Sequence, residues 1–163
     1  MQQLSPRGDP PLLANALLGA FLSGASIRIF DIAMPTIAAD LHTDLVGVVW
    51  AVLSFSLAAS GLSLVFGRIG DIYGHLKIYG LSYLVFVAGS LLCGIARNIV
   101  QLIIFRAIQG LGVAMNQAVG RALALQGARP ESRGRAQGYM TTAFHLGFLL
   151  GPSLGGITID LVG

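Results

Sequence analysis

Arg28 and Asp31 stand three residues apart in an otherwise apolar stretch, and Arg106, Gln109 and Gln117 recur in a second one. At that spacing Arg28 and Asp31 are neighbours on one helical face and can pair. Arg106, Gln109, Val113 and Gln117 fall close to one line at about 3.6 residues per turn. Fixed charges and amides in such rows hold polar solutes or pass protons; they do not by themselves make or break covalent bonds. No Ser-His-Asp set, metal-ligand spacing or phosphate-cradling glycine loop accompanies them. The chain therefore reads as a non-enzyme, with no cofactor and no metal. Cys93 is the single cysteine, so neither a disulfide framework nor a metal set can be built on it.

The elements that carry these residues follow from composition. Of the 163 residues 55% are hydrophobic and only 10% charged, whereas soluble domains carry about 25% charged residues. The mean hydropathy is +0.77. A bilayer is the natural solvent for such a chain, and one span takes about 20 apolar residues. Residues 46–67 and 78–96 are free of charge, and 136–159 holds His145 as its one ionisable group. Two further runs are interrupted, 12–39 by Arg28 and Asp31 and 99–120 by Arg106. Five transmembrane helices are predicted, over 12–38, 46–66, 77–97, 99–123 and 136–160. The first is too long for the apolar region of a signal peptide, and no small-residue cleavage site ends it.

Charge in short loops orients the spans. One side collects Arg7, Arg68, Lys77, Arg121, Arg129, Arg133 and Arg135; the other has Arg97 beside Asp40 and Asp44. The first side is expected to be cytoplasmic, with the N-terminus inside and Gly163 outside. The net charge of +3 reflects this asymmetry and calls for no nucleic acid. Residues 127–138 read as a cytoplasmic loop.

A charge near the bilayer centre costs at least about 2.5–3.5 kcal/mol on insertion scales. If the first span leaves the membrane near Ala39, Asp31 lies about 12 Å and Arg28 about 16 Å below the outer boundary. If the fourth enters near Ile99, Arg106 lies about 10 Å down. The similar depths let Asp31 and Arg106 meet across a cavity. Two arginines beside one aspartate leave that site net positive, which suits an anionic or zwitterionic solute. The plainer alternative is a static network tying the first and fourth spans together. His145 is a further proton-relay candidate, since imidazole exchanges protons near neutral pH, although such a histidine also serves as a simple hydrogen-bonding group.

Glycines punctuate two further stretches. Residues 66–80, FGRIGDIYGHLKIYG, place Arg68, Asp71 and Lys77 among glycines 67, 70, 74 and 80, and 67–77 are predicted to form the short inner turn between the second and third spans. Arg121 is a candidate cation for Asp71. In the fifth span Gly147, Gly151 and Gly155 recur every fourth residue and share a face, which lets helices pack backbone to backbone in lipid. Pro152 removes a backbone donor and kinks that helix.

Gly67-x-x-x-Asp71-x-x-Gly74-x-x-Lys77 resembles the cytoplasmic signature between helices two and three of the major facilitator superfamily. Ile72 stands where that family usually has arginine, and His75 and Leu76 where it usually has a basic pair. Gly138, Gly147, Gly151, Pro152, Gly155 and Gly156 reproduce the fifth-helix signature of the family's antiporters. Arg106-Ala-Ile-Gln109-Gly110 resembles its R-x-x-Q-G motif, whose arginine is tied to proton coupling. Ala33-Met34-Pro35-Thr36-Ile37 looks like the end of the first helix in the fourteen-helix drug-exporter branch. That branch carries an acidic residue nearer Ser26; here Asp31 is the carboxylate within the span.

The resemblance implies an all-α membrane protein with a major facilitator fold, of which this chain supplies the N-terminal half only, as five transmembrane helices. It implies a secondary transporter, a proton-coupled antiporter or exporter of a small organic solute, in the cell membrane. Its partners would be the solute, protons, the lipid bilayer and the missing C-terminal half. Arg28, Asp31, Arg106, Gln109 and Gln117 would line the substrate and proton path. Gly67, Asp71, Gly74 and Lys77 would form the cytoplasmic latch, and the glycines with Pro152 a flexible gate helix. The rival readings are a small non-transporting membrane scaffold or assembly partner and a passive oligomeric channel.

Overall fold

The computed structural model of the chain describes residues 10–126 and 133–162. Every regular element among them is an α-helix: α1 Pro10–Asp40, α2 Leu45–Gly61, α3 Ser63–Tyr73, α4 His75–Gly94, α5 Ile99–Gln126 and α6 Arg133–Val162. This is an all-α membrane protein. The helices Leu13–Asp40, His75–Gly94 and Ile99–Leu123 are long and apolar enough to cross a bilayer, and α2 with α3 make a fourth candidate as one bent span. Their outward surfaces are apolar, with Leu57, Leu64, Leu84, Leu91 and Leu149 all exposed. In water such a surface would be a liability; in lipid it is what a span requires.

The local chemistry explains where the helices start. Asp44 caps α2, its carboxylate accepting from the Gly47 amide at 2.9 Å, which satisfies a donor that has no intrahelical partner. Asn98 does the same for α5 through the Gln101 amide, also at 2.9 Å. The Gln101 side chain in turn accepts from the Arg97 amide.

Three expectations change. The second span, expected over 46–66, is two helices: α2 ends at Gly61, α3 starts at Ser63, and the pair is bent by 44°. Ser60 and Ser63 turn their hydroxyls onto the carbonyls of Ser56 and Ser60, local bonds of a kind that bends helices. The stretch 67–77 is not a turn. Gly67 and Asp71 lie within α3, Lys77 lies in the first turn of α4, and Gly74 alone separates the two helices. Apolar residues around the charges keep enough helical periodicity for α3 to run on to Tyr73. The expected loop 127–138 is helical from Arg133, where α6 begins. Arg7, Arg129 and Glu131 lie outside the described residues.

Gly74 has φ +96° and ψ 128°, a region that side chains with a Cβ rarely enter. Gly67 is helical, and a methyl added there would meet open space. Gly74→Ala is therefore expected to cost about 1–2 kcal/mol, read as a lower thermal unfolding midpoint of the purified protein. Gly67→Ala is expected to leave the midpoint unchanged or raise it.

The chain divides into two compact units, one of α1 up to Ile32 with the residues from Gly120 onward, the other Ala33–Val119. In the first unit α1 and α6 pack backbone to backbone. In the second α5 is the buried helix, with Leu102, Val113, Ala114, Met115 and Val119 almost wholly enclosed. Small residues bring its neighbours close: methyls added at Gly110 and Gly112 would lie 2.5 Å from the Phe55 carbonyl oxygen and 2.6 Å from the Phe86 amide. Without a hydrophobic drive in lipid, such close approach is a main source of helix association.

Candidate functional site

In the first unit Arg28 and Asp31 form the expected pair, Nη1 donating to Oδ2 at 3.2 Å with both side chains part-exposed. The guanidinium carbon also sits 4.1 Å from the centre of the Phe148 ring on α6, within cation–π range. That contact depends on glycine. A methyl on Gly147 would collide with the Phe21 carbonyl oxygen, one on Gly24 with that of Phe144, and one on Gly151 would lie 2.9 Å from both the Ala25 carbonyl oxygen and the Arg28 Cβ. Gly147 and Gly151 therefore form the packing face read from their spacing, and Gly24 is its counterpart on α1. Gly138 and Gly156 face open space. Pro152 and Gly155 lie inside α6, which runs through the proline without ending. His145 is exposed on α6, edge-on to Phe144.

In the second unit Arg106 is 4% exposed. Its Nη1 donates to Gln109 Oε1 at 2.7 Å, and Gln109 Nε2 donates to Ser90 Oγ on α4, also at 2.7 Å. Ser90 Oγ in turn donates to the Phe86 carbonyl. Arg106 also lies over the Phe55 ring of α2, 5.2 Å from its centre. Gln109 is held against α4 because Gly89 leaves room, an added methyl coming within 2.7 Å of the Gln109 backbone.

A second buried polar group lies further along α5. Asn116 Nδ2 reaches Ser82 Oγ at 3.4 Å, Ser82 donates to the Tyr79 carbonyl at 2.6 Å, and the hydroxyls of Tyr79 and Tyr83 are 2.8 Å apart. Asn116, not Gln117, continues the buried stripe. Gln117 is half-buried, and no hydrogen bond joins it to the described residues. One residue turns a helical position by about 100°, and the row read from sequence could take either.

At the α3–α4 junction Asp71 pairs with His75, Nε2 to Oδ1 at 3.2 Å, with Asp71 largely exposed. His75 is thus the partner that Asp71 meets. Gly70, not Gly67, is the buried glycine here, with room for a methyl only 3.1 Å from Val119 Cγ2 of α5. Lys77 is exposed.

Sequence reasoning missed Gly24, Phe148, Ser82, Ser90 and Asn116. Ser82 and Ser90 lie about two helical turns apart in a run read as free of charge, and that spacing was the available signal. Nothing local marked Phe148 as the neighbour of Arg28.

The geometry is that of packed apolar helices with charged and amide groups held inside them, and comparison with known proteins identifies the set. The family model described as Major Facilitator Superfamily matches residues 16–163. The chain belongs to the major facilitator superfamily. This major facilitator chain is 32% identical over 146 residues to the riboflavin transporter RibZ of Clostridioides difficile, covering 90% of this chain and 32% of that protein. It is 35% identical over 151 residues to multidrug resistance protein 3 of Bacillus subtilis, covering 93% and 29%. Over 164 residues it is 32% identical to the multidrug export protein EmrB of Haemophilus influenzae, covering 96% and 32%. The chain thus spans about a third of the length of these relatives. The family is one of transporters, and the apolar helices make the chain a multi-pass membrane protein.

Proposed function

We propose that the chain is part of a proton-coupled antiporter that exports a small organic solute across the cell membrane, with its N-terminus in the cytoplasm. The observation that carries this reading is the seating of Gly147 and Gly151 against the α1 backbone. Those glycines belong to a pattern that resembles the antiporter signature, and here they join the gate helix to the helix that bears Arg28 and Asp31. An α1–α6 contact made of backbone and small residues can slide as a unit while its polar groups stay paired. Transporters of this kind bind near the midplane between repeats that rock against each other.

Arg28 and Asp31 on α1, and Arg106, Gln109 and Gln117 on α5, would line aqueous paths for solute and protons. The buried Arg106–Gln109–Ser90 chain would hold its charge in position. Gly67, Asp71, Gly74 and Lys77 would act at the cytoplasmic face, where the Asp71–His75 pair holds the α3–α4 junction. The names of two relatives, a multidrug export protein and a riboflavin transporter, support outward movement and an organic solute respectively.

The test is made on everted membrane vesicles containing the complete protein. With a proton gradient imposed, addition of an exported solute is expected to dissipate the gradient, and a protonophore to stop solute accumulation. Flux that ignores the protonophore would indicate a passive path. Absence of any flux from a stable, correctly inserted protein would favour the scaffold.

A further inference from the structure

We propose that Arg28 is the recognition point for organic carboxylates, with Asp31 as the internal carboxylate that the solute displaces. This rests on the transport reading above and names its substrate class. A guanidinium carries five N–H donors in a planar fork. Among the described residues one donates to a partner, Nη1 to Asp31. That bond, at 3.2 Å, is longer than the roughly 2.7–2.9 Å of a well-made charge-assisted contact, so Asp31 holds the fork loosely.

The rest of the side chain is fixed. The Phe148 ring backs the guanidinium at 4.1 Å. Nε is shielded from solvent with no hydrogen-bond partner. The close approach of Gly151 leaves no space beside the Arg28 Cβ. Yet 41% of the side chain remains open, and with Nε shielded the open part lies elsewhere on it. An arginine whose stem is clamped, whose face is stacked and whose terminal edge is weakly held is arranged to accept a planar oxyanion. A carboxylate can take the two terminal nitrogens side by side, the bidentate geometry that a lysine ammonium cannot offer. An aromatic solute gains further by stacking beside Phe148.

The exchange also accounts for Asp31 standing one turn away. When the site is empty it neutralises Arg28 inside the membrane, where a bare charge is costly. On loading, the solute takes over that task and Asp31 is released. The swap is one carboxylate for another at the guanidinium; the site gains one negative charge, which the released Asp31, with 31% of its side chain open, carries in the water that admits the solute.

The test is equilibrium binding of radiolabelled benzoate to the complete purified protein, without any gradient, with tetraphenylphosphonium as the cationic comparison. Saturable benzoate binding is expected, weakened about tenfold or more in Arg28→Lys and lost in Arg28→Gln, because lysine keeps the charge but not the fork. Asp31→Asn is expected to tighten benzoate binding severalfold by removing the internal competitor, an effect that a merely structural ion pair would not produce. No saturable benzoate binding, equal affinity in Arg28→Lys and wild type, or weakened binding in Asp31→Asn would each overturn the assignment. Proton-driven flux in vesicles is read separately. Loss of that flux with benzoate binding intact would sink the antiport reading and leave this site standing.

Discussion

Gly147→Ala is expected to lower the thermal unfolding midpoint of the purified protein more than a methyl added at the open glycines of α6. The new Cβ would overlap the Phe21 carbonyl oxygen and lie 2.9 Å from the Phe21 carbonyl carbon and 3.1 Å from the Ala25 amide nitrogen. Those atoms are helix backbone and cannot swing aside, so α6 must move off α1. Overpacking of this kind costs about 1–3 kcal/mol, and here it also removes Phe148 from beneath Arg28. Gly138→Ala and Gly156→Ala are the controls. A methyl at either meets nothing within 4 Å, and alanine is favoured over glycine in a helix by about 1 kcal/mol. Their midpoints are expected to hold or rise. Equal losses at positions 138 and 147 would mean that the α1–α6 contact does not govern stability.

Gln109→Leu is expected to produce the second large effect, in the other unit. Leucine nearly matches the volume of glutamine, so the change removes chemistry more than packing. Arg106 Nη1 loses a buried acceptor at 2.7 Å, and Ser90 loses its donor. Hydrogen bonds to charged groups are worth about 1.5–3 kcal/mol, and Gln109 is only 7% exposed, so water cannot easily replace them. The same substitution at Gln117, which is half-buried, should change the midpoint by less than about 0.5 kcal/mol. A double-mutant cycle with Ser90→Ala should return a coupling of about 0.5–3 kcal/mol. A cycle that sums to zero would show the two side chains to be independent, contrary to the observed bond.

These two experiments bear on different parts of the molecule because stability in each unit comes from a different device. α1 and α6 rely on the absence of side chains, which brings backbones into contact. α5 is held by a polar side chain that spans to α4 through the space Gly89 leaves. Both devices suit lipid, where apolar side chains gain nothing by leaving the bilayer for a helix interface.

Much of this was legible in the residues alone. Low charge and long apolar runs made the chain a membrane protein of helices, because a backbone in lipid must satisfy its own hydrogen bonds. Three-residue spacing paired Arg28 with Asp31, and four-residue spacing put Gly147 and Gly151 on one packing face, since both patterns lie within a single helix. The family resemblance read from 67–77, 106–110 and 138–156 agrees with the family match over 16–163. What the tertiary structure alone decided depends on contacts between helices. It put Phe148 against Arg28, Gly24 against Phe144, Ser90 against Gln109, and Asn116 rather than Gln117 into the buried row. It also continued a helix through Asp71 up to Gly74, where the sequence suggested a turn. Periodicity tells which residues share a face of one helix; the partner that face meets, and the choice between two residues about 100° apart, are settled only when the helices pack.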